Sequence, residues 1–194
     1  MKRTTFGVLA LGLMLAGCQT PIQGHYEYNT EAPWGRYASF AWVTSEPLIR
    51  PAAGVASGQD QRISPIMEQT IRRAVERSLA QKGYEQIADP GAADIIVSFS
   101  LGTRDKIEVD SYPVRAGYGY GRYGYGGGYY SDVRSYTEGT LAIDFFDAQA
   151  RQAIWHGWAS KRVSSSADQA QRTATLNEAV GAILKSFPFR KTQQ

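Results

Sequence analysis

The sequence predicts an α+β domain. It is a mainly antiparallel sheet of about five strands with two helices on one face, in the order β-α-β-β-β-β-α, plus a Gly/Tyr-rich hairpin loop. Three observations carry the prediction. Two long stretches alternate apolar and polar residues, which is the periodicity of a half-buried strand. Two others repeat apolar residues at helical spacing between recognisable caps. Short turns join successive strands, which favours antiparallel pairing.

The elements follow in order. Residues 18–36 mix Pro, Gly and polar residues and read as a tether that becomes a short strand near His25–Tyr28. Tyr37–Val43 alternates large and small side chains and opens the domain proper, which is expected to run over 37–190. Residues 44–61 hold Pro47, Pro51, Gly54 and Gly58 and read as a loop. Ser64 then caps a helix with Pro65 in its first turn, where a missing N–H costs nothing. Ile66, Ile71, Val75 and Leu79 fall on one face, and Lys82-Gly83 ends the helix with a positive charge and a left-handed glycine. Tyr84–Ile87 is a short strand, and Asp89-Pro90-Gly91 turns the chain.

Asp94 to Glu108 is a long strand with Ile95, Val97, Phe99 and Leu101 on one side. Arg134–Phe146 repeats the pattern with Leu141, Ile143 and Phe145. Ala153–Val163 follows after a turn, with Trp155 and Trp158 on opposite faces. The last helix starts near Ala167, where Ser166 and Gln169 resemble a capping box. It carries Leu176, Val180, Ile183, Leu184 and Phe187 on its apolar stripe, and Pro188 ends it.

Between the two long strands, residues 113–131 are dominated by glycine and tyrosine. Glycine loses too much backbone entropy to pack unaided, so this reads as an excursion at a hairpin tip. Its tyrosines, Tyr118 to Tyr130, could stack on sugars or aromatic partners, or lie on a headgroup surface. Gly119-Tyr-Gly-Arg-Tyr-Gly124 matches a dinucleotide-binding pattern by glycine density alone; no helix or parallel β-α-β unit follows, so no nucleotide site is read here.

At the other end, Lys2 and Arg3 precede an apolar run from Phe6 to Ala16. As a helix that run would reach about 16 Å, and a membrane span needs roughly 20 residues. It fits the core of a signal peptide, residues 1–17. Leu15-Ala16-Gly17-Cys18 resembles the lipobox of bacterial lipoproteins. That resemblance implies a diacylglyceryl thioether on Cys18, cleavage before it, and usually a further acyl chain on the new amine. More than one chain holds a protein firmly to a bilayer. Gln19 rather than Asp after the cysteine favours the outer membrane, facing the periplasm.

Composition excludes several classes. Cys18 is the only cysteine, so with its thiol acylated no disulfide and no cysteine metal site is expected. The formal charge of +3 includes Lys2 and Arg3, so the remaining chain is nearly neutral and carries no electrostatic footprint for nucleic acid. There are two histidines, His25 and His156, with no metal-ligand spacing, and no Gly-x-Ser-x-Gly elbow surrounds a serine. Glu138 and Asp144 share a strand face but lie about 20 Å apart at strand rise, beyond the ~5–9.5 Å of a glycosidase pair. With Asp147, they read as sheet-edge and turn residues. Trp42, Trp155 and Trp158 could line a groove, although core packing accounts for aromatics in so small a sheet.

Taken in order, Tyr37-Ala-Ser-Phe-Ala-Trp42, Leu79-Ala-Gln-Lys-Gly-Tyr84, Ala92-Ala-Asp-Ile-Ile-Val-Ser98, Glu138-Gly-Thr-Leu-Ala-Ile-Asp144, Ile154-Trp-His-Gly157 and the closing Phe187-Pro188 resemble the bacterial envelope lipoproteins carrying the domain of unknown function DUF4136. The resemblance implies a membrane-tethered α+β domain and supplies no reaction, cofactor or catalytic residue. Glu138, Gly139 and Gly157 would recur for packing reasons. The expectation is a non-enzymatic lipoprotein, held to the membrane through Cys18, that binds an envelope protein, glycan or lipid. The alternatives are an auxiliary subunit of a lipid or solute transporter, and an envelope hydrolase using His156. A groove between sheet and helices would favour the first of these. A pocket joining His156 to an acid or serine would favour the second.

Overall fold

The computed structural model describes residues 20–43, 63–113, 129–164 and 166–190. The expected signal peptide 1–17, Cys18, the 44–61 loop and residues 114–128 of the glycine–tyrosine stretch lie outside the described residues. The elements are β1 (Gly24–Tyr28), β2 (Ser39–Trp42), α1 (Pro65–Gln81), β3 (Glu85–Gln86), β4 (Ile95–Pro113), β5 (Tyr129–Asp147), β6 (Gln152–Arg162) and α2 (Gln169–Leu184). They form the α+β fold expected: two helices against a six-stranded, mostly antiparallel sheet, in the order β1-β6-β5-β4-β2-β3.

The antiparallel pairs are β4–β5, β5–β6 and β1–β6. β2 runs parallel to both β3 and β4, because α1 carries the chain back to the end from which β2 started. β1 is the edge strand beside β6, so residues assigned to the tether are part of the sheet.

Local chemistry sets the helix ends. Ser64 accepts a hydrogen bond from the Met67 amide at 3.2 Å, and Gly83 has φ +91°, the left-handed end that a glycine tolerates. Two details differ from the sequence reading. The capping box of α2 is Asp168 with Gln171, not Ser166 with Gln169; a carboxylate at the cap receives the Gln171 amide at 2.7 Å and the helix starts two residues later. Ile66 is 61% exposed: at 3.6 residues per turn it lies about 140° round the helix from Ile71, and Met67 packs on the core from the first turn instead. Lys82 is the C-cap of α1, its backbone N–H bonded to the Ser78 and Leu79 carbonyls, but its side chain serves the other helix. Its Nζ reaches the carbonyls of Phe187 (2.7 Å) and Lys185 (3.4 Å) beyond the end of α2, and burial lowers its pKa.

Both helices lie on one sheet face. Ile71, Val75 and Leu79 of α1 and Leu176, Val180, Ile183 and Leu184 of α2 bury against Ile95, Val97, Phe99, Leu141, Ile143 and Phe145. Phe187 closes the layer, stacked on Phe145 at 4.3 Å. Two glycines allow close approach. The backbone of α2 crosses Gly24, where a Cβ would stand 2.2 Å from the Ala182 carbonyl oxygen. The Trp155 ring lies over Gly157. Beyond the row Arg104–Glu138–Arg162, β4 and β5 run on as a two-stranded ribbon to Pro113 and Tyr129.

Candidate functional site

Helices cover one face of the sheet and leave the other open. Strand alternation decides what that face carries. With Ile95, Val97 and Phe99 turned to the core, Ile96, Ser98 and Ser100 point outward, and so do Ala142, Asp144 and Phe146 of β5. Together with Val43 and the β5–β6 turn, all of these but Ala142 line a shallow groove of about 540 Å³. Its floor is apolar, formed by Val43, Ile96 and Phe146, and its rim holds Asp144, Asp147 and Arg151.

The carboxylates of the rim are already engaged. Asp144 Oδ1 meets His156 Nδ1 at 2.5 Å. Asp147 accepts the amides of Ala150 and Gln149 and the Tyr37 hydroxyl at 2.8 Å. The Ala150 amide, with the other two donors, holds the Asp147 carboxyl below the usual carboxylate range against the opposing effect of burial. In turn, burial and the bond to Asp147 raise the Tyr37 phenol. Arg151, held in the turn at φ +56°, has no ion pair among the described residues. The cation is therefore the one uncommitted charge of the rim.

β1 adds a second cluster next to the groove. Register pairs His25 with Trp158 and Glu27 with His156. Both histidine rings stack with Trp158, His25 at 5.5 Å and His156 at 5.2 Å. The His156 side chain is 43% exposed. One row across the sheet thus reads Glu27, His156, Asp144, Ser98. A Ser-His-Asp triad needs the histidine between the other two. Here Asp144 stands in the middle, and Ser98 is two strands from His156, about 10 Å at the usual spacing. The row orients an imidazole and gives it no adjacent serine.

The other residues singled out from sequence divide as follows. Glu138 pairs with Lys106 at 2.5 Å on the solvent side of the sheet. Trp155 is core, and Trp42 packs on Phe99 while donating to Glu76 of α1 at 3.0 Å, so neither lines the open face. Trp158 does. Gly139 and Gly157 make the close contacts expected of them, with Val163 and Trp155. Cys18 lies outside the described residues. Among the described residues no three His, Cys, Asp or Glu side chains are grouped to hold a metal ion, and no helix is long and apolar enough to cross a membrane. Arg151, Ile96, Phe146, Glu27 and the pairing of Asp144 with His156 were missed. Only the outward parity of Ile96 and Phe146, two large apolar residues on a polar face, signalled them in advance.

No curated protein matches the chain in sequence. A DUF4136 family protein from Bacteroides thetaiotaomicron has a similar fold, with 13% identity and a TM-score of 0.51 over 87% of this chain and 95% of that one. PelC from Paraburkholderia phytofirmans, a dodecamer, aligns at 11% identity and a TM-score of 0.47, covering 89% of this chain and 99% of that one. A PDZ domain protein from Parabacteroides distasonis aligns at 13% identity and 0.47, over 89% of this chain and 38% of that one. The model of the domain of unknown function DUF4136 matches residues 25–189, and the chain belongs to that family.

Proposed function

We propose that this DUF4136 protein is a non-enzymatic lipoprotein, anchored through Cys18 in the outer membrane and facing the periplasm. There it binds an envelope component on the open face of its sheet. The observation that carries the reading is the groove over β4 and β5: an apolar floor of Val43, Ile96 and Phe146 beside Arg151, which has no ion pair among the described residues, with every rim carboxylate already partnered. Such a site suits a partner with an apolar body and an anionic group. The transporter reading asked for a groove between sheet and helices. That layer is filled by Phe145, Trp155 and Phe187, so nothing favours it over simple binding. The hydrolase reading finds the acid it calls for, since Asp144 on the groove rim meets His156 at 2.5 Å, and it stands as the second reading; what it lacks among the described residues is a nucleophile beside His156.

The test is photo-cross-linking in cells from a benzoylphenylalanine placed at Phe146, followed by recovery of the lipidated protein. One defined adduct, lost when Arg151 is changed to Glu, is the expected result. No adduct at Phe146 with full display in the outer membrane would overturn the binding face. Mass spectrometry of the mature protein tests the anchor; an unacylated Cys18 would overturn that part.

A further inference from the structure

The two-stranded ribbon formed by the outer halves of β4 and β5 has two unlike faces. Even-numbered residues carry charge and are cross-linked: Lys106 with Glu138, Glu108 with Arg162, and Asp132 with Arg134, while Arg162 also lies over the Tyr136 ring. The outer part of the odd face carries Ile107, Val109 and Val133, exposed by 72%, 56% and 62%, with Asp105, which accepts from the Thr137 hydroxyl, at its inner end toward the helices. Val109 is directly opposite Val133, and Ile107 is the next outward position on the same side. These three continue the row of Ile95, Val97 and Phe99 past the point where the helices stop covering it, and among the described residues they are left exposed.

Register fixes where the N-terminus leaves relative to this ribbon. Gly24, Ala159, Leu141 and Leu101 form one row across the sheet. Going back from Gly24, the chain heads toward the ribbon end: Gly24 lies against Ala182, but the Ile22 amide bonds to Glu178, one turn earlier on α2. Gly24 lies six positions after Cys18, a span of at most about 22 Å even fully extended. From the same row, the twelve residues from Leu101 to Pro113 carry the ribbon about 40 Å in the same direction.

We propose that the ribbon lies against the bilayer, with Ile107, Val109 and Val133 on the lipid surface and the charged face in water. This rests on the lipid anchor at Cys18 proposed above. A chain tied by so short a leash cannot hold a longer arm clear of the membrane on the same side. The arm does not span: among the described residues its outer backbone groups pair with no other strand, and open sheet edges are not tolerated in hydrocarbon. It lies in the interface, as an amphipathic element does, apolar side down.

The experiment uses the full lipidated protein in vesicles of phosphatidylethanolamine with a minority of phosphatidylglycerol. Because Cys18 is the only cysteine and is consumed by acylation, a new cysteine can be labelled alone. An environment-sensitive fluorophore is placed at Val109→Cys, at Val133→Cys, or at Asp110→Cys on the charged face. A several-fold, blue-shifted rise at the first two positions, quenched by lipid-borne quenchers, with little change at the third, is expected. Solvent-like emission at Val109→Cys and Val133→Cys on protein shown by mass to be acylated would overturn this inference and leave the anchor standing. An unacylated mass would overturn the anchor and, with it, this inference. A rise that needs no vesicles and grows with protein concentration would overturn it in favour of a second copy of the chain.

Discussion

Replacing Gly157 by alanine tests how tightly the open and covered faces are joined. A Cβ at 157 would stand 2.1 Å from Cη2 and 2.5 Å from Cζ3 of Trp155, and 2.9 Å from Cγ2 of Ile183. Carbon atoms rest about 3.5–4 Å apart, so the indole or the strand must move by more than 1 Å. The ring has nowhere to go. It is 2% exposed and packed edge-on against Phe145 and Phe187, with Tyr26 stacked over it. Overpacking of this kind costs about 1–3 kcal/mol, and the rigidity of the neighbours puts it at the upper end, about 3 kcal/mol. At roughly 2–4 °C per kcal/mol for a domain of this size, the melting temperature should fall by about 6–12 °C. Differential scanning calorimetry reads it directly. Gly181→Ala is the control: nothing lies within 4 Å of its Cβ position, and it sits inside α2. Alanine there should raise stability by about 0.5–1 kcal/mol through helix propensity. A Gly157→Ala protein that melts within about 1 °C of the parent would refute the packing argument.

Three further substitutions probe the polar contacts. The Tyr84 hydroxyl is buried without a hydrogen-bond partner among the described residues, and burial pushes its pKa up to about 12; Tyr84→Phe should therefore stabilise by about 1 kcal/mol, read as a higher urea midpoint at unchanged slope. Asp94 accepts the amides of Ala38 and Ser39 and the Ser39 hydroxyl, each at 2.9 Å, tying β2 to β4. Burial alone would raise its pKa, but these donors bring it below the usual value, so its contribution is present above about pH 3.9 and is lost as pH falls through the folded-state pKa. Asp94→Asn should cost about 2 kcal/mol at pH 7, and the gap from the parent should narrow in acid in chemical denaturation run across pH. Lys82→Met removes the ammonium from the Phe187 and Lys185 carbonyls and should destabilise by about 1–3 kcal/mol. Burial lowers the Lys82 pKa, so the folded state binds fewer protons between that value and the unfolded one. The parent should gain stability with rising pH across that window, and Lys82→Met should lack the gain.

Strand and helix positions were legible because periodicity reports burial, and burial here follows simple alternation. Ile95, Val97, Phe99, Leu141, Ile143 and Phe145 all face the core as their spacing required. The Ser64-Pro65 start of α1 was legible for the same kind of reason, being a local rule met by adjacent residues. The strand near His25–Tyr28 was visible, but its place was not. Pairing with β6 is a long-range event that a five-residue segment does not encode, and it is what brings His25 and Glu27 beside Trp158 and His156. The Asp144–His156 pair was missed on the same ground, since cross-strand register is set by the turn at 147–151 and by the bulge between Phe145 and Phe146. Arg151 gave no signal at all; its importance comes from the left-handed turn that lifts it over the groove.

The binding proposal rests on how the charges of the groove are partnered. An active site keeps at least one reactive group poorly satisfied so that substrate can complete it. In the groove the two carboxylates are already engaged. The imidazole of His156 is turned by Asp144 and stacked with Trp158, and Asp147 is occupied by two amides and a phenol. What is left open is an apolar floor and one cation, features that add affinity for a partner without being consumed by it. Should His156→Ala leave adduct formation at Phe146 intact while Arg151→Glu abolishes it, the histidine cluster is scaffold for the groove. Should the reverse hold, recognition runs through the imidazole edge, and the groove is only its border.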